Sequence, residues 1–133
     1  IGCDIIVAAK SATFGQPEIK LGFFPPYAAI RLPQLVGPAK AMEICTTGKI
    51  YTATQACKMG LVSSVVEDDV FSEAVESLIG EIQMCSPLII RLNKLAVKQH
   101  LGKNFPGALQ GVTDLFLNTL MKTEDTLEGI ASF

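Results

Sequence analysis

Thr13-Phe14-Gly15-Gln16-Pro17-Glu18-Ile19-Lys20-Leu21-Gly22-Phe23-Phe24-Pro25-Pro26 is the stretch around which the chain is organised. A short extended segment, Thr13 to Phe14, leads into Gly15. Pro17 then fixes φ and gives up its N–H. Glu18 follows at the mouth of a loop that closes on two consecutive prolines, and it is the only carboxylate of the stretch. Stiff backbone on one side and an apolar loop on the other are surroundings that disfavour the charged form of a carboxyl group. A carboxyl poised near working pH is what general acid–base catalysis needs. The same residues also fit a solvated turn glutamate beside Lys20, since structural sites hold perturbed carboxylates too.

Working outward, Cys3-Asp4-Ile5-Ile6-Val7-Ala8-Ala9 is an apolar, β-branched run that predicts a buried strand over 3–9. Asp4 inside it is expected to bond backbone or cap a turn, because buried charge must be paired. Downstream, the loop at 22–27 leads into a helix near residues 28–36. Gly37-Pro38 reads as a stop followed by a start. The next helix runs to about Thr47 and ends at Gly48. Ile50-Tyr51 is extended, and Thr52-x-x-Gln55 is a capping box for a third helix that stops at Gly60. Val62 to Val66 reads as a short strand.

From Asp68 the pattern turns helical. Phe71, Ala74, Val75, Leu78, Ile82 and Cys85 share one face at helical spacing. Ser86-Pro87 caps and starts a helix with Leu88, Leu92, Leu95 and Ala96 on its face. Asn104 to Pro106 starts another, with Leu109, Val112, Leu115, Phe116 and Leu120 aligned. Thr123 caps a last helix whose first turn carries Glu124 and Asp125, the sign its dipole favours. His100, near a helix end, reads as structural, because no Ser, Cys or second His stands at motif spacing from it.

Hydrophobic residues make up 49% and charged residues 18% of 133 residues, with a mean hydropathy of +0.38. That balance is apolar for a monomer of ordinary domain size. Apolar surface is therefore expected to face another chain or a missing part of the same one. No run approaches a membrane span. A net charge of −2, a pI near 5.3 and the lack of a basic stripe argue against nucleic acid. Cys3, Cys45, Cys57 and Cys85 form no C-x-x-C pair and, with the single His100, no zinc pattern, so no metal is expected. Reduced thiols suit a cytoplasmic protein, and no signal or transit peptide is recognisable. The chain opens without methionine on a core strand and closes inside a helix, which predicts the C-terminal portion of a longer protein.

Cys3 to Ala9, Ala12-Thr13-Phe14-Gly15-Gln16-Pro17-Glu18-Ile19 and Leu21-Gly22 carry a resemblance. So do Arg31-Leu32-Pro33, Leu35-Val36-Gly37, Ala39 to Glu43, Thr47-Gly48, Ala53-x-x-Ala56 and Met59-Gly60-Leu61-Val62. With Thr123-Glu124-Asp125 and Glu128 to Phe133 they resemble, in order and over the whole chain, the crotonase (enoyl-CoA hydratase/isomerase) superfamily. The resemblance implies an α/β fold: the C-terminal part of a ββα spiral core over 1–67, then a helical trimerisation region over 68–133. It implies a hydro-lyase acting on acyl-CoA, with the coenzyme A thioester as substrate and no separate cofactor. The protein would be a homotrimer or a dimer of trimers. Glu18 stands where the second of the hydratases' two glutamates sits. The first glutamate and both oxyanion donors fall upstream of Ile1, so these residues alone are expected to be inactive.

The loop departs from the family's usual glycine-rich Pro-Gly-Ala-Gly-Gly-Thr-Gln-Arg-Leu and is one residue shorter. Pro26 replaces a glycine whose N–H faces the site, and Tyr27 adds a ring and a hydroxyl. Phe23, Pro25, Pro26 and Tyr27 are thus expected to wall the acyl site. The loop is similar to that of cyclohexa-1,5-diene-1-carbonyl-CoA hydratases of anaerobic aromatic degradation. Phe116 and Phe133 match positions that meet the CoA adenine in relatives, and each also fits a plain core aromatic. The alternatives are an enoyl-CoA isomerase or acyl-CoA hydrolase of the same superfamily, or a non-catalytic oligomerisation module.

Overall fold

Two small sheets frame the amino-terminal part of the chain, which a computed structural model describes over residues 1–132. The chain is α/β and divides into two units, Ile1–Ser77 and the residues from Leu78 on. In the first unit, β1 (Val7–Ala9) runs parallel to β4 (Ser64–Val66), with Ala8 opposite Val65. β2 (Thr13–Gly15) runs antiparallel to β3 (Ile50–Thr52), with Phe14 opposite Tyr51.

The strand expected over 3–9 is shorter than the apolar run suggests. The Ile6 carbonyl accepts from the N–H of Ser63, the Ile6 N–H donates to the Ser63 hydroxyl, and the ladder starts only at Val7. Cys3, Asp4 and Ile5 form an exposed bend instead. A hydrophobic run becomes strand only where a partner's backbone lies beside it, and β4 supplies three residues. The expected strand over 62–66 shortens to β4 for the same reason, with Val62 buried ahead of it.

α1 spans Pro26–Val36, so Pro26 and Tyr27 belong to its first turn rather than to the loop predicted over 22–27. The physical reason lies in Pro26 itself. Its φ is already helical, and the N–H it lacks is one that a first turn leaves unpaired. α2 (Pro38–Thr47) likewise starts on a proline, after Gly37 at φ 78°, and ends on Gly48 at φ 59°. α3 (Ala53–Lys58) has the predicted capping box: the Gln55 N–H donates to Thr52 Oγ1 at 3.3 Å and the Thr52 N–H to Gln55 Oε1 at 2.9 Å. The core under these helices pairs Leu32, Ile44 and Tyr51 with small residues, among them Ala28, Ala41, Ala53 and Ala56.

A 3₁₀ turn, Asp68–Val70, precedes α4 (Phe71–Gln83). Phe71, Ala74, Val75 and Leu78 are half-buried as the spacing predicts. Ile82 and Cys85 are exposed, one in the helix's last turn and the other beyond its end. In the second unit, α5 (Pro87–Lys98) and α6 (Phe105–Asn118) are capped by Ser86 and Asn104, whose side chains accept from the N–H groups of Ile89 and Gly107. Thr123 caps α7 (Glu124–Ser132) by accepting from the Thr126 N–H at 3.2 Å.

Among the described residues of this unit only Leu92 is fully buried. On the predicted α6 face, Val112 and Leu115 are half-buried while Leu109 and Phe116 are exposed. The ring of His100 packs so closely on α6 that a Cβ on Gly111 would stand 2.4 Å from its Cε1. Among the described residues, all four cysteines are free thiols, and no helix is long and apolar enough to cross a membrane.

Candidate active site

Gly15 starts the site, because no larger residue fits there. A Cβ would stand 2.5 Å from Ile50 Cδ1 and 2.9 Å from the Lys49 carbonyl oxygen. The close approach of β2 to β3 at this point sends Gln16 and Pro17 out of the ladder. Pro17 then begins a 3₁₀ turn, Pro17–Leu21, which Gly22 ends at φ 88°. Glu18 is the second residue of that turn and is half-buried, more open to water than an apolar enclosure would leave it. The end of α2 backs the turn: a Cβ on Gly48 would stand 3.0 Å from both Ile19 Cγ2 and Lys20 Cε.

Gln16 holds the carboxylate. With its amide nitrogen facing Glu18, it donates to both carboxylate oxygens, at 3.1 and 3.2 Å. Cys45, on α2, feels the same charge. Burial pushes its thiol pKa up and the negative charge of Glu18 adds to the rise, so it stands as a neutral neighbour.

Gln16 also lines a cavity of about 270 Å³, together with Ile1, Thr13, Phe14, Leu32 and Tyr51. The Tyr51 hydroxyl is spent elsewhere: it donates to Glu43 Oε1 at 3.0 Å, while Lys40 binds the other Glu43 oxygen. The Lys40 bond first and the Tyr51 bond second hold the Glu43 carboxyl below its ordinary value. Burial first, then the Glu43 carboxylate, push the Tyr51 phenol up. Tyr51 therefore stays a phenol and anchors β3 to α2.

The loop residues expected at the site sit differently from one another. Pro25 is buried, while Phe23, Pro26 and Tyr27 are exposed, and none of the four lines the cavity. Phe116 is exposed on α6 in the second unit, and Phe133 lies outside the described residues. Gln16 as the partner of Glu18, Cys45 as its neighbour and the Lys40–Glu43–Tyr51 network were not legible from spacing. The one available signal for Gln16 is a carboxamide separated from a carboxylate by a single proline.

A family model described as "Enoyl-CoA hydratase/isomerase" matches residues 1–133. Among curated proteins, a short-chain-enoyl-CoA hydratase of Clostridioides difficile is 40% identical over 134 residues, covering 100% of this chain and 86% of that protein. A crotonyl-CoA hydratase of Syntrophomonas wolfei is 34% identical over 132 residues, 98% of this chain and 50% of its own length. Among solved structures, an enoyl-CoA hydratase subunit I from Geobacillus kaustophilus superposes with a TM-score of 0.92 at 36% identity. The Bacillus anthracis enoyl-CoA hydratase does so with a TM-score of 0.92 at 31% identity. Each superposition covers 98% of this chain and 51% of the solved one, so the chain spans about half the length of both.

Proposed function

Because this chain belongs to the enoyl-CoA hydratase/isomerase family, we propose that its protein is an acyl-CoA hydratase, adding water reversibly across the double bond of an enoyl-CoA thioester. One observation carries the reading: the family match runs the full length of the chain, so the Gln16-Pro17-Glu18 turn falls inside it. In this reading Glu18 exchanges a proton with the water that is added and with the α-carbon of the acyl group. Gln16 fixes the direction in which the carboxylate faces, and the buried Pro25 stiffens the loop beyond. The family's first glutamate and its oxyanion donors match no position among these 133 residues, which in this reading are inactive by themselves. The thioester is the substrate, and no further cofactor or metal takes part.

The finer reading concerns the acyl group. Pro26 and Tyr27 in the first turn of α1, with Phe23 before them, give a stiff, bulky, apolar rim. This supports a flat ring as substrate, a cyclic dienoyl-CoA of aromatic degradation, with Phe116 and Phe133 meeting the CoA adenine. The protein works in the cytoplasm as a trimer or a dimer of trimers. An enoyl-CoA isomerase is the second reading, favoured by a family description that spans both activities. It would shift the double bond of a 3-enoyl-CoA without taking up water.

The test is Glu18→Gln in the full-length protein, with hydration followed by loss of the enoyl absorbance. The fold should persist and kcat fall by about 10²–10⁴, the usual worth of general acid–base catalysis. Turnover within a factor of two of the parent would remove Glu18 from the reaction.

A further inference from the structure

The geometry points to Tyr27 and Arg31 as a two-residue clamp on the Ile1–Gly2 segment, which positions the reacting groups of the hydratase site. This rests on the hydratase reading above. The two side chains stand four residues apart on α1 and so share one face of it. Arg31 Nε donates to the Ile1 carbonyl at 3.4 Å, and its Nη1 is steadied by Gln34 Oε1 at 2.9 Å. The Tyr27 hydroxyl covers Gly2: a Cβ there would stand 3.3 Å from it. Gly2 is not among the glycines at positive φ.

The clamp reaches the site through one path. Ile1 lines the same cavity as Gln16, and Gln16 holds both oxygens of Glu18. One side of the site is therefore seated on α1 through two contacts, and α1 begins with the loop that follows Glu18. Tyr27 and Arg31 are positioning residues: neither is required to touch the thioester.

The test compares Tyr27→Phe, Arg31→Ala and the double variant in the full-length protein, by crotonyl-CoA kinetics and by amide exchange of residues 1–6. A lost hydrogen bond of ordinary strength predicts a fall in kcat of about 3–10-fold in Arg31→Ala, and the lost contact of the Tyr27 hydroxyl a smaller fall in Tyr27→Phe, with KM unchanged within about twofold in both. Because the two act on one segment, the double variant should lose no more than the worse single one. Exchange at residues 1–6 should quicken in all three. A rise in KM alone would make Tyr27 a substrate contact, and unchanged exchange or additive losses would show no clamp; each overturns the proposal. A parent that does not hydrate crotonyl-CoA or any other enoyl-CoA would remove the hydratase reading, and the exchange measurement would then decide the clamp alone.

Discussion

Gly15 shows how much one missing methyl group can set. A Cβ would come within 2.9 Å of the Lys49 carbonyl oxygen, a backbone atom of the residue just before β3 that cannot swing aside as a side chain can. Gly15→Ala should therefore cost about 1–3 kcal/mol, the usual range for overpacking, as read from the urea midpoint. A loss below about 0.5 kcal/mol would mean that the two strands separate freely here. Glu43 makes a prediction of opposite character. Its carboxyl is held below its ordinary value in the folded chain, so it contributes stability above the unfolded carboxyl's pKa, which is lost as pH falls through the folded value. Glu43→Gln should flatten that acid-side loss. An unchanged slope between neutral and acid pH in thermal melts would count against the Lys40–Glu43–Tyr51 network as a stabilising unit.

At the scale of elements, α1 carries both the core and the rim. Leu32 is 1% exposed and wedged against the alanines of its neighbours, so Leu32→Ala should destabilise by about 2–5 kcal/mol. The rim at the start of α1 governs substrate choice in the reading proposed above. One or two apolar contacts discriminate by about 10–200-fold, so kcat/KM for a cyclic dienoyl-CoA should exceed that for crotonyl-CoA by that order. Equal or better use of crotonyl-CoA would return Pro26 and Tyr27 to the status of a stiff surface turn. The caps and stops of these elements were legible in advance because each is a local bond. Thr52 with Gln55, Ser86, Asn104 and Gly48 need only their own neighbours in sequence. The extent of β1 was not legible, because it depends on how many residues β4 offers from fifty-odd positions away. Glu18 could be picked out as the lone acid of its turn, whereas its contact with Gln16 depends on a side-chain orientation that spacing does not encode.

Across the whole molecule, apolar side chains remain on the surface in both units. Phe24 and Ile30 of the first unit and Phe105 and Leu109 of the second are more than half exposed. Patches of this kind mark surfaces that meet other protein. The helical part is the expected seat of subunit contacts, so the full-length protein should run as a trimer or a multiple of one in size-exclusion with light scattering. A clean monomer at micromolar concentration would defeat that expectation. The alanine-built core of the first unit bears on how the sequence can change over time. Ala53 and Ala56 have no accessible surface, and Ala8, Ala28 and Ala41 have almost none. A core of large side chains can trade volume between neighbours as it drifts, because one residue shrinks while another grows. Where helices already meet on methyl groups, no reservoir of volume exists to trade. In a library randomised at these five positions and selected for folded protein, survivors should be confined to alanine, glycine and serine, so that the lineage's variation is pushed outward to its surface.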